Sequence, residues 1–207
     1  MTESTNPSVR PNPTKGVRER TRDAIRAELA AAAISAFQEE GFNASTVESI
    51  AARVGVSGRT FFRYFASKED AVLQPMERLG ADAAQRLGQR PSEEGTVQAL
   101  RASLEVVLEA VLADQPLMRA VMTLNRSAPE LRRRHLQQQD EWVDQLAVVV
   151  ARRTGLREDS PSARLPCTVV LAAFEKALGV CADDDDFSQI GRQFDEALAE
   201  VGRLFHP

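Results

Sequence analysis

The stretch 45–68, STVESIAARVGVSGRTFFRYFASK, constrains this chain more than any other. Ser45 precedes Glu48 by three residues, the spacing at which a hydroxyl and a carboxylate satisfy each other's backbone donors, so a helix is expected to begin here. Val47, Ile50, Ala51 and Val54 then fall on one face. Gly55 follows where a left-handed C-cap is wanted, and Ser57 can cap a second helix two residues later. Two short helices joined by so tight a turn form a helix-turn-helix, whose second helix typically enters the major groove of DNA.

A net charge of -4 over 207 residues would oppose phosphate binding if it were spread evenly. It is not. Residues 8–68 hold ten Lys or Arg against six Asp or Glu, whereas residues 69–207 hold sixteen against twenty-three. A basic head on an acidic body is what phosphate binding by one end requires.

The rest of the chain reads as helices. Residues 1–16 carry three prolines and no periodicity and are expected to be a disordered arm, with Arg10 and Lys15 within reach of DNA. Apolar residues at three- and four-residue steps predict a helix from Val17 to a stop at Gly41. Another starts at Ser67 and is bent or delayed by Pro75, and a long one covers 97–113. Pro116 opens a shorter helix and Pro129 a long one ending at Gly155. Two more are expected over 169–180 and from Phe187 onward. No strand alternation of useful length occurs, so the class is all-α with about nine helices: an arm (1–16), a helix-turn-helix domain (17–66) and a larger body (67–207).

No apolar run approaches the roughly 20 residues that span a bilayer, so no membrane partner is expected. The first residues lack an apolar signal region, which makes the cytoplasm the expected location. No nucleophile and base pairing, metal-ligand spacing or phosphate loop is present, so neither an enzyme nor a cofactor or metal is expected. Asp183, Asp184, Asp185 and Asp186 lack the EF-hand pattern and are expected to precede the last helix. Cys167 and Cys181, about 21 Å apart if they share one helix, are beyond disulfide reach and are expected to be reduced.

From about Arg20 to Leu73 the chain resembles the TetR family of bacterial transcriptional regulators. The matching pieces are Gly41-Phe42, TVESIA from Thr46, VGVS ending at Ser57, and RYFASKED ending at Asp70. That resemblance implies a homodimer on a palindromic double-stranded DNA operator. It also implies repression relieved by a small hydrophobic ligand in the body; a regulator without such a ligand, constitutive or governed by a protein partner, is the alternative. The segments RTFFRYF and SAPELRRR are similar to the mycofactocin-type branch, for which acyl thioesters are a candidate ligand class.

Arg20 and Arg22 crowd the start of the first helix, where the dipole would prefer acids and a phosphate would explain the exception. Thr46, Ser57 and Thr60 are suited to phosphate or base contacts, and Gly58 opens the recognition helix. Arg59 stands where many relatives have glycine; it can read guanine O6 and N7 or clamp a phosphate. Phe62 replaces a common tyrosine and can meet a thymine methyl. Arg63, Tyr64 and Lys68 are candidates for phosphates.

In the body, Met76, Leu104, Met118, Met122, Trp142, Leu146 and Phe174 are candidates for a ligand cavity, or else simply core. His135 among Arg132, Arg133 and Arg134 forms a basic cluster that can meet an anionic head group or simply be a solvated helix face, and the second is expected. The stripes Leu171, Phe174, Leu178 and Phe194, Leu198, Val201 are expected to form a symmetric four-helix dimer interface.

Overall fold

A computed structural model describes residues 16–205, and every regular element among them is helical. The segments are α1 Val17–Glu40, α2 Val47–Arg53, α3 Gly58–Tyr64, α4 Lys68–Leu73, α5 Leu79–Gly88, α6 Thr96–Ser103, α7 Glu105–Ala113, α8 Gln115–Ser127, α9 Pro129–Thr154, α10 Pro161–Asp184 and α11 Ile190–Phe205. A 3-10 turn at Gln74–Met76 joins α4 to α5, and Leu104 alone joins α6 to α7, so the described residues form nine rods. Pro75 sits in that 3-10 turn, the delay its missing N–H imposes. The arm expected over residues 1–16 lies outside the described residues except for Gly16, the N-cap of α1.

In the head, α1 turns Leu29, Ala33, Ala36 and Phe37 inward against α2 and α4. Phe42 closes the end of this core, its ring 4.9 Å from that of Phe37. The start of α2 differs from expectation by one residue. Ser45 is buried, and its hydroxyl bonds to the carbonyls of Ala36 and Gly41 at 3.1 and 3.0 Å, closing α1 instead of opening α2. Thr46 takes the cap: its Oγ1 accepts from Ser49 N and Ser49 Oγ accepts from Thr46 N, both at 3.1 Å. Gly55 adopts φ 72°, the left-handed turn that lets Ser57 cap α3 through Thr60 N at 3.2 Å.

In the body, α9 runs from Pro129 at its first position to a left-handed Gly155. It packs on α5, α8 and α10, and α10 packs on α11. α10 begins at Pro161, well before the expected residue 169, because Ser160 caps it and Pro166 is tolerated inside. Proline there removes only the donor to the carbonyl of Ser162, an exposed residue that water can serve.

An 18-residue window of α10 is apolar enough by length and composition to cross a bilayer, with a mean hydropathy of 1.6, which corrects the expectation that no run approaches that length. Its apolar residues line the protein core on one side, where Glu175 interrupts them, and Lys176 interrupts the other. The aspartate run is also placed differently from expectation. Asp183 and Asp184 end α10, Asp185 is its left-handed C-cap, and only Asp186 precedes the next turn. Arg126 and Arg119 of α8 pair with Asp183 and Asp185, offsetting acids at a helix end that prefers cations.

Candidate DNA interface and body cavity

α3 presents Arg59, Phe62 and Arg63 on one exposed face, as their spacing of three and four residues requires. Phe61 points the other way into the head core, with Phe65 at 5.5 Å, so the helix is anchored by one phenylalanine and displays the other. Phe62 is 55% exposed, an unusual placement for so large an apolar ring. Arg59 has no ion-pair partner among the described residues, while Arg63 lies over the Tyr64 ring at 5.2 Å. Thr46 and Ser57 are exposed caps at the starts of α2 and α3, and Arg20 and Arg22 are exposed on the first turns of α1. The Cβ direction of Gly58 is occupied by Glu48, whose Oε1 would lie 3.2 Å from an added Cβ, so this glycine serves the packing of α2 on α3.

Lys68 is already engaged within the head. Its Nζ donates to the carbonyls of Phe42 and Ser45 at 2.6 and 3.1 Å and lies 4.0 Å from the centre of the Phe42 ring. It ties the loop before α2 to the start of α4. Asp70, two residues on, caps α4 jointly with Ser67 and accepts from Arg134 Nε of α9 at 2.6 Å. Arg26 of α1 pairs with Glu77 beyond the 3-10 turn at 2.5 Å and covers the Phe65 ring at 5.1 Å. Two arginines thus hold the junction, Arg134 before Pro75 and Arg26 after it.

Between the 3-10 turn at Met76 and helices α7, α8, α9 and α10 lies a largely enclosed cavity of about 20 Å³. Five of the seven expected lining residues surround it: Met76, Met118, Met122, Trp142 and Phe174. Leu104 and Leu146 are buried in the core away from it, a difference that apolar periodicity cannot express. Sequence reasoning missed the polar wall. His135 is buried, not solvated, and lines the cavity with Asn125, Gln138, Gln139 and Glu175. Its Nε2 lies 3.1 Å from Gln139 Nε2 and 3.4 Å from Glu175 Oε1, while its Nδ1 and the Oδ1 of Asn125 are buried without a hydrogen-bond partner among the described residues. The signal available was His135 itself, three and seven residues from Gln138 and Trp142 and so on their face of α9.

Trp142 packs against Gly80 of α5, where any Cβ would collide with the indole ring. α9 therefore touches both sides of the junction. Trp142 reaches the helix after Pro75, and Arg134 reaches the helix before it.

The expected dimer stripe is turned inward. Leu171, Phe174, Leu178 and Phe194 are all buried within the subunit, and the first three line the cavity. Leu198 is half-buried against the same core. The outward face of α10 and α11 is a groove of about 610 Å³ whose apolar wall includes Val169, Ala172, Val180, Ala197 and Val201. α10 is apolar on both faces, and the larger side chains went to the core. Cys167 and Cys181 are free and buried on α10; burial pushes the Cys167 thiol up to about 11 and raises that of Cys181, so both hold their protons.

Residues 29–74 match the family described as bacterial regulatory proteins, tetR family, and residues 94–206 match the MftR C-terminal domain. The HTH-type transcriptional regulator TcmR of Streptomyces glaucescens is 34% identical over 164 residues, covering 76% of this chain and 73% of that protein. Among solved structures, a SmeT–triclosan complex aligns with a TM-score of 0.56 at 20% identity, over 86% of this chain and 91% of that one. Thermus thermophilus FadR, a TetR-family repressor in complex with lauroyl-CoA, aligns with a TM-score of 0.53 at 23% identity, over 84% and 91%. These two share the fold.

Proposed function

We propose a mechanism for this chain, which belongs to the tetR family of bacterial regulatory proteins and is a DNA-binding transcriptional regulator, not an enzyme. It acts in the cytoplasm as a homodimer that represses from a palindromic operator and lets go when a small apolar molecule enters the body. Residues 17–66 are the reading head and 67–207 the body, with α4 in contact with both α1 and α9.

Each head lays α3 in the major groove. Arg59 donates a bidentate pair to a guanine, Phe62 covers a thymine methyl, and Arg63 with Tyr64 meets the backbone beside them. Thr46, Ser57, Thr60, Arg20 and Arg22 hold phosphates, which fix register without reading sequence. Gly58 and Lys68 keep the geometry of that surface from within. Two heads grip two half-sites about one helical turn apart, so dimerisation through the α10 and α11 groove sets the spacing.

One observation carries ligand control: α9 lines the cavity with His135, Gln138 and Trp142 and, at Arg134, holds Asp70 at the start of α4. A molecule that fits one arrangement of α9 better than the other shifts the head spacing by that difference in affinity. Three cavity methionines can re-pack to admit it. Among the described residues no Lys or Arg lines the cavity to meet a coenzyme's phosphates, so an acyl chain suits these walls better than a whole acyl thioester.

The small cavity volume, enough for about one water, favours a second reading, a regulator that takes no small ligand. A thermal-shift screen of apolar compounds, with lauroyl-CoA as one arm, separates the two when hits are tested for release of a fluorescent operator duplex. A compound that raises the melting temperature and releases DNA supports ligand control. An empty screen, or hits that leave DNA bound, supports the second reading.

A further inference from the structure

The polar wall of the cavity is more specific than an apolar pocket requires. His135 is only 8% exposed, and its Nδ1 has no partner among the described residues; Asn125 lines the same cavity, its Oδ1 buried and likewise unmet. Buried polar atoms are ordinarily hydrogen-bonded, because leaving one unmet in an apolar setting is costly. Repairing the fault within the subunit does not work. If Nε2–H donates to Glu175, Nδ1 is a bare acceptor; if Nε2 accepts from Gln139, Nδ1–H is a donor without an acceptor. Turning the Asn125 amide exchanges an unmet acceptor for an unmet donor.

Resting on the ligand-controlled reading above, we infer that the cavity takes an uncharged apolar molecule bearing a hydroxyl group, with that hydroxyl seated against His135 and Asn125. A hydroxyl both donates and accepts, so it serves either tautomer of the ring and either orientation of the amide. An anion fits poorly, since Glu175 is the charged side chain in the wall. An ammonium can only donate, and it would satisfy Nδ1 in one tautomer alone. The apolar body of the molecule lies among Met118, Met122, Trp142 and Phe174.

The rival occupant is a single water, which the present volume of about 20 Å³ accommodates. If a water permanently fills the polar corner, an incoming molecule gains nothing from a hydroxyl. Ligand chemistry therefore distinguishes the two.

The test uses four molecules sharing one transparent cage, 1-adamantanol, 1-methyladamantane, 1-adamantanamine and adamantane-1-carboxylate. Trp142, the sole tryptophan of the chain, lies in the wall, so its emission reports occupancy. The expected result is that the alcohol binds at least about tenfold tighter than the methyl, amine and carboxylate analogues. In Asn125→Leu, and in His135→Phe shown folded by circular dichroism, the order of alcohol and methyl should equalise or reverse. Equal affinity of alcohol and methyl in the natural chain overturns the inference and leaves ligand control standing, as does tighter binding of the amine or carboxylate. No binding of any cage overturns the inference, and only an empty screen of other apolar compounds would then remove ligand control as well.

Discussion

The recognition helix and the body cavity both hold polar groups that find no partner among the described residues, at opposite extremes of exposure. Arg59 stands in water, which hydrates its guanidinium without strain on the fold. His135 Nδ1 and Asn125 Oδ1 sit buried at the wall of an interior cavity, where an unmet group costs roughly 1–3 kcal/mol. The head therefore displays its binding groups on the outside of a finished core, whereas the body keeps them as a fault inside its core. Function and stability are separable in the first region and entangled in the second.

Truncation should expose that contrast most strongly at Trp142. Trp142→Ala removes a large core side chain and is expected to lower stability by about 3–5 kcal/mol in urea unfolding. At the recognition face, Arg59→Ala should leave unfolding within about 0.5 kcal/mol of the parent. It should lose about 1–3 kcal/mol of discrimination at one base pair, read by anisotropy on duplexes substituted position by position. Equal losses on specific and random duplex would make Arg59 a phosphate clamp instead.

Lys68→Met crosses the divide. Because the ammonium serves Phe42 and Ser45 carbonyls, the substitution should destabilise the head by about 1–2 kcal/mol and leave the salt dependence of DNA binding unchanged. A salt slope smaller by about one would return Lys68 to the phosphates.

The smallest effect concerns Cys167. Its thiol, raised from 9.0 to about 11 by burial, keeps its proton in the folded state where the unfolded chain loses it. The resulting contribution to stability is whole below pH 9 and fades as pH rises from 9 towards 11. Iodoacetamide at pH 8 should therefore label Cys167 only after denaturant is added.

Sequence alone disclosed the head almost residue by residue, since caps, a turn glycine and short amphipathic faces are local signals. Even there, Thr46 displaced Ser45 as the cap, because Ser45 was needed to close α1. The body was legible as helices but not as faces. α10 is apolar all round, so Leu171, Phe174 and Leu178 read equally well as interface or core, and packing assigned them to the cavity. Leu104 and Leu146 show the converse, being periodic and buried yet not part of the cavity wall. His135 was hidden by its three arginine neighbours, because adjacent helical residues point in different directions and only the fold tells which one faces in.

Coupling between the two regions is the central claim, and Gly80 tests it without any ligand. A side chain at Gly80 must push Trp142 and with it α9. Anisotropy of a fluorescent operator, selected from random duplexes, should show Gly80→Val binding about tenfold more weakly than the parent, roughly 1.4 kcal/mol. The double variant Gly80→Val with Trp142→Leu should recover most of that loss. If Gly80→Val is folded and dimeric and binds the operator as the parent does, the packing of α9 on α5 does not govern the heads, and the proposed coupling is wrong.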